Sequence, residues 1–121
     1  MGIEENKSNI RRQIYECWNK GDFSAVPELI SQDFIYHTPK KVLKGIDGFK
    51  EWVNLWRTGF PDFHMTVEEM IAEKNAVVVK LTWEGTFAGV FDGYNPTGNK
   101  VKMEELWLYR FQNGKDIGPL S

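Results

Sequence analysis

Residues 85–101 read GTFAGVFDGYNPTGNKV, and the reading of this ribbon decides the fold. Four glycines and one proline interrupt its seventeen residues. The runs on either side have strand character. Residues 76–86 are rich in Val, Leu, Thr and Trp, and residues 101–111 carry large apolar side chains on alternate positions. A long strand must bend if it is to wrap a core, and bends favour glycine. Gly85, Gly89 and Gly93 therefore read as corner and loop positions, and Pro96-Thr97-Gly98-Asn99 as a tight turn.

Working outward, the strand pattern extends in both directions. Phe63, Met65 and Val67 alternate with His64, Thr66 and Glu68, and the pattern runs on to about Ala72. Glu73-Lys74-Asn75 is a hairpin turn candidate, and Gln112-Asn113-Gly114-Lys115 is a strong one. Before Pro61 the period is helical. Ile10, Ile14, Cys17 and Trp18 predict a helix over 6–19, stopped by Gly21. Residues 22–30 read as a second short helix with Val26, Leu29 and Ile30 inward. Ile46, Phe49, Trp52, Val53 and Trp56 form one apolar stripe, which predicts a third helix over 46–58. Between these, Phe34 to Thr38 (FIYHT) reads as a short strand that Pro39 and the following lysines end. Helices at one end and long antiparallel strands at the other predict an α+β fold. Its form is a cone-like curved antiparallel sheet with three N-terminal helices over its concave face.

Composition bounds the function. A chain of 121 residues fits one domain, 1–121, and buries roughly two-thirds of its unfolded surface. A net charge of −2 argues against nucleic acid as the main partner, because phosphate binding wants a basic face. The lysines at 40, 41 and 44 read as a solvated loop. Cys17 is the only cysteine, so no internal disulfide forms and a reducing, cytoplasmic location is expected. The opening MGIEENKSNIRR has no apolar run, so no secretory leader is expected, and no stretch of 18 apolar residues predicts a membrane span.

The ribbon resembles the signature of SnoaL-like polyketide cyclases, within the nuclear transport factor 2-like superfold. That signature runs Gly-Thr-His-x-Gly-x-Phe-x-Gly-x-x-Pro-Thr-Gly, followed by a Val that opens a strand. Gly85, Thr86, Gly89, Phe91, Gly93, Pro96, Thr97, Gly98 and Val101 match it, while Phe87 stands where the family often has His. Phe60-Pro61-Asp62, Ile71-Ala72-Glu73, Arg110-Phe111 and Asn113-Gly114-Lys115 extend the likeness, as does the stretch 33–39 with His37. The resemblance implies a pocket for a small hydrophobic carbonyl compound and a cyclisation that uses neither metal nor organic cofactor. It also implies a final strand with a Glu-x-Trp segment and a general-base Asp. On this reading the chain lacks most of that strand, and Asp116 does not match the family's Asp. The rival reading is therefore a non-catalytic ligand-binding or interaction module that has lost the catalytic strand. The superfold also carries isomerases, hydrolases and plain binding modules, so fold alone does not choose among them.

The residues themselves offer candidates for chemistry. Glu105 shares one strand face with Met103, Trp107, Tyr109 and Phe111. A desolvated glutamate suits proton abstraction from carbon, and the bland alternative is a surface acid paired with Lys80 or Lys102. His37 lies mid-strand and would act on a substrate carbonyl if it faced the cone; otherwise it is an inert histidine at the mouth. His64 falls on the polar phase and reads as solvated. Trp56, Phe60, Trp83, Phe87, Trp107 and Tyr109 are the expected substrate-binding aromatics, set against ordinary core packing. No cluster has zinc spacing, and no phosphate-binding glycine loop or nucleophile elbow occurs, so no metal or cofactor is expected. Leu106 and Leu108 make the other face of the same strand apolar as well, which predicts a homodimer through the sheet.

Overall fold

The computed structural model describes residues 2–119; Met1, Leu120 and Ser121 lie outside the described residues. The chain begins with α1, Ile3–Arg12, which carries Glu4 and Glu5 in its first turn and Arg11 and Arg12 in its last. Those charges complement the helix dipole. The helix runs on as a π-helical turn, Gln13–Trp18, marked by the hydrogen bond from Asn19 N–H to the carbonyl of Ile14. There follow α2 (Val26–Leu29), β1 (Ile35–His37), β2 (Val42–Lys44) and α3 (Gly45–Gly59). The long strands are β3 (His64–Glu73), β4 (Ala76–Thr86) and β5 (Lys100–Gln112), and β6 is the two-residue Lys115–Asp116.

β3, β4, β5 and β6 form one antiparallel sheet in chain order, and β1 with β2 forms a separate hairpin. The sheet is curved, and helices pack against it. Its curvature has a local cause in β3, where the register against β4 slips between Val67 and Glu69. The extra residue, Glu68, is a bulge that bends the strand and flips its phase. Before the bulge Met65 and Val67 face the helices; after it Met70 and Ala72 do, opposite Val79 and Val77. Ile71, inward by simple alternation, is instead 64% exposed.

Two further features of the chain differ from the sequence reading. The second helix is Val26–Leu29 rather than 22–30, because Asp22 turns back to accept from the backbone N–H and hydroxyl of Ser24, which makes a turn. The lysine segment is not a plain loop: Val42, Leu43 and Lys44 pair with His37, Tyr36 and Ile35 as β2. Lys41 pairs with Glu51, and Lys40 donates to the carbonyl of Asp92, 2.6 Å away.

The core lies between α1, α3 and the inner face of the sheet. Ile10, Ile14, Trp18, Phe34, Phe49, Val53, Val77 and Leu81 are fully or almost fully buried. Polar groups lock the elements together. The Asn19 side chain both accepts from Met65 N–H and donates to the Met65 carbonyl, as a neighbouring strand would. The Arg57 guanidinium donates to the carbonyls of Trp18 and Asn19 at the end of the π-helical turn. The glycine ribbon folds back onto the end of α3, where Ala88 and Gly89 both donate to the Gly59 carbonyl.

The last described residues close the cone. Asn113 and Gly114 form a two-residue turn, both with positive φ, so Lys115 returns opposite Gln112 and Asp116 opposite Phe111. The carbonyl of Asp116 then accepts from Ser31 N–H, and that of Ile117 from Ile35 N–H. This short segment joins the sheet to the β1 hairpin. It leaves the edge of β5 unpaired from Lys100 to Tyr109 among the described residues.

Candidate functional site

The concave face of β5 presents Glu105, Trp107, Tyr109 and Phe111 in strict alternation. Three aromatic rings stack above it: Tyr36 lies 4.1 Å from Trp52 at 18°, and Trp52 lies 5.7 Å from Trp107 at 24°. Beside this stack is an inner cavity of about 190 Å³. Its walls include Phe34, Tyr36, Trp52, Trp107 and Tyr109, with Leu106, Leu108 and Pro119 where it reaches the β5 edge, and one carboxyl group, that of Asp116. A second, outer cavity of about 300 Å³ lies under the ribbon, between Trp56, Phe91, Tyr94 and the β1–β2 loop.

Asp116 is 2% exposed. Its Oδ1 accepts from Gly118 N–H at 2.7 Å and its Oδ2 from Gln13 Nε2 at 3.2 Å. Burial outweighs both hydrogen bonds and pushes its carboxyl up to about 6. Gln13 also donates to Asn9 Oδ1, and Asn9 Nδ2 donates to the carbonyls of Leu29 and Gly114. A polar chain therefore runs from α1 to the hairpin turn and fixes the carboxylate. The Tyr109 hydroxyl is buried and has no hydrogen-bond partner among the described residues. Burial, and then the charge of Asp116, push that phenol well above its ordinary value.

Sequence reasoning passes over Asp116, weighing it only as a mismatch to the family's general-base Asp. A signal was present. The Asn-Gly turn fixes the hairpin register, and that register puts Asp116 opposite Phe111, on the face shared with Tyr109 and Glu105.

The structure separates the other candidates. Glu105 is half-buried and pairs with neither Lys80 nor Lys102. Its Oε2 accepts from Trp83 Nε1 at 3.0 Å and its Oε1 from Trp107 Nε1 at 2.5 Å. Its charge adds to burial in pushing the Tyr36 phenol up. His37 lines neither cavity: it is exposed on the outer side of β1, and its neighbour Tyr36 takes the inward position. Trp107 and Tyr109 line the inner cavity and Trp56 the outer one. Phe60, Trp83 and Phe87 line neither. They pack on one another, Phe60 against Phe87 at 5.4 Å and Phe60 against Trp83 at 5.3 Å. His64, Glu84 and Glu104 are exposed, as their strand phase predicts. Cys17 is fully buried, and burial pushes its thiol up to about 12.

Among the described residues, no group of three His, Cys, Asp or Glu side chains is placed to hold a metal ion. Nor is any helix long and apolar enough to cross a membrane.

A family model, SnoaL-like polyketide cyclase, matches residues 8–116. The chain belongs to that family. No curated protein matches it in sequence. Among solved structures it is similar to a candidate SnoaL-like polyketide cyclase from Jannaschia sp. CCS1, with a TM-score of 0.86 and 24% identity over 98% of this chain and 85% of that one. A candidate polyketide cyclase from Acidithiobacillus ferrooxidans gives a TM-score of 0.77 and 26% identity, over 98% of this chain and 87% of that one. AclR from Streptomyces galilaeus, described as a candidate hydroxylase, gives 0.76 and 25%, over 97% of this chain and 77% of that one. The ribbon that carries the family signature has a packing role here: Gly89 and Phe91 seat it on the end of α3.

Proposed function

We propose that this SnoaL-like chain takes a small apolar carbonyl compound into the inner cavity and moves a proton on it, as a cofactor-free cyclase or isomerase does. The observation that supports this most is that the buried carboxyl of Asp116 and the unpartnered hydroxyl of Tyr109 line one cavity whose other walls are aromatic and aliphatic. Apolar walls with a few convergent polar groups are the usual form of a small-molecule site. A carboxyl held near 6 is half ionised at that pH and largely ionised at neutral pH, so it is available there as a general base.

In this reading the Tyr109 O–H donates to a ligand carbonyl oxygen. Asp116 then takes a proton from the carbon next to that carbonyl, and the electron pair moves into an enolate. The enolate attacks a second carbonyl of the same molecule, and the resulting alkoxide takes a proton back; in an isomerisation the proton returns at another carbon. Glu105 lines neither cavity, and in this reading its part is to hold the indoles of Trp83 and Trp107 in place. Trp107 and the Trp52–Tyr36 stack bind the flat part of the ligand.

The test is deuterium exchange at the central carbon of a simple β-diketone, benzoylacetone, followed by NMR. The wild-type protein should accelerate exchange, and Asp116→Asn should lose about a hundredfold or more of that acceleration. Equal exchange with and without wild-type protein would remove the enzyme reading and leave a binding module.

The outer face of the sheet supports a homodimer in the same reading. Ile71, Val78 and Leu106 are 64%, 37% and 72% exposed. The register places Ile71, Val78 and Leu108 in one row across three strands.

A further inference from the structure

Tyr36 and Trp52 each line both cavities, the inner one with Asp116 and the outer one under the ribbon. Stacked at 4.1 Å, the two rings are the wall that the compartments share. They differ in how firmly they are held. Trp52 sits on α3, is 8% exposed and touches Trp18, Phe34, Phe49 and Trp107 as well as Tyr36. Tyr36 is half-buried on a three-residue strand, and Trp52 is its one ring contact among the described residues. Its strand belongs to a two-stranded hairpin that is tied to the main sheet by one hydrogen bond from β1, Ile35 N–H to the Ile117 carbonyl.

We infer that Tyr36 is the specificity-determining residue of the site, a single ring that limits the ligand's size. With Tyr36 in place the acid-bearing compartment is about 190 Å³. An apolar cavity of about 150 Å³ holds one benzene ring, so this compartment takes a single-ring carbonyl compound and rejects fused rings. Without the phenol ring the inner and outer cavities become continuous along Trp52, and a flat two- or three-ring compound fits with its carbonyl still toward Asp116 and Tyr109. Trp52, locked on several sides, keeps its place as the stacking floor of the enlarged site. This inference rests on the ligand-site reading above.

The test is a size ladder of methyl ketones, acetophenone, 2-acetylnaphthalene and 2-acetylanthracene, with binding read by tryptophan fluorescence quenching and ligand-observed NMR. Wild-type protein should bind acetophenone about tenfold more tightly than 2-acetylnaphthalene, and Tyr36→Ala should reverse that order by a similar factor. Tyr36→Phe keeps the ring and should keep the wild-type order. Wild type that binds all three alike, or a folded Tyr36→Ala with unchanged order, overturns the partition and leaves the ligand site standing. Wild type that binds none of the three overturns both. Should Tyr36→Ala not fold, the wild-type cutoff between one ring and two decides alone.

Discussion

Gly89 lies directly against the carbonyl oxygen of Thr58: a Cβ placed on Gly89 would stand 2.0 Å from it. No side chain fits that gap, so the ribbon can seat on the end of α3 only if residue 89 is glycine. Gly89→Ala should therefore lift the ribbon and destabilise the fold by about 2 kcal/mol, the usual cost of overpacking. Thermal denaturation should show a midpoint lower by roughly 8 °C. An unchanged midpoint would mean that the ribbon is not docked there in solution.

The buried carboxyl of Asp116 should leave a signature in stability against pH. Its folded-state value, about 6, lies above its ordinary 3.8. Between those values the folded state holds more protons than the unfolded state, so this group lowers stability as pH rises from about 4 to 6. Below 4 both states are protonated and the penalty vanishes. Asp62 and Asp22, whose carboxyls hydrogen bonds from Thr86 and Ser24 hold low, act with the opposite sign at more acid pH. Denaturant titrations of wild type and Asp116→Asn at pH 4 and pH 7 isolate the effect: the variant should gain on wild type as pH rises. A constant difference between the two would show that the carboxyl is not buried as described.

Glu105 holds two indole N–H groups at once. Glu105→Ala leaves both without acceptors and should cost about 1–3 kcal/mol in chemical denaturation. It should also shift tryptophan emission, because Trp83 and Trp107 lose their polar partner. Glu104→Ala, one residue along on the exposed face, should stay within about 0.5 kcal/mol of wild type. Equal effects at the two positions would count against the clamp.

The outer sheet face makes a prediction about assembly. Sedimentation at micromolar concentration should give a dimer for wild type and a monomer for Val78→Glu, which places a charge at the centre of the row formed by Ile71, Val78 and Leu108. A wild-type monomer would remove the sheet-to-sheet pairing.

Much of the fold was legible because its signals are local. β4 spans 76–86 as read, since its alternation is unbroken and turn residues flank it. The third helix and the 113–114 turn were equally clear from an apolar stripe and an Asn-Gly pair. β2 was not, because three residues following two lysines carry no periodic signal; only their pairing with β1 makes them a strand. The β3 bulge was invisible because the flanking residues alternate correctly on each side of it, and the phase change appears only against β4. The site was half legible. Trp56, Trp107 and Tyr109 could be placed on inward faces from period alone. That Trp83 packs into a solid aromatic cluster while Trp107 borders a void depends on how the helices settle, which no strand pattern encodes. Asp116 needed the hairpin register and the contact of residues 116–117 with Ser31 and Ile35, which are distant in sequence.

The π-helical turn at Gln13–Trp18 has a consequence for how this protein can change over time. Each helical residue rotates the chain by about 100°. Dropping one residue there to restore ordinary winding would swing Asn6, Asn9 and Ile10 around the axis and away from the places they now fill. The polar tether from Asn9 through Gln13 to Asp116 would part in the same movement. The odd winding acts as a keyed joint: side chains on this stretch can be exchanged, but its length cannot.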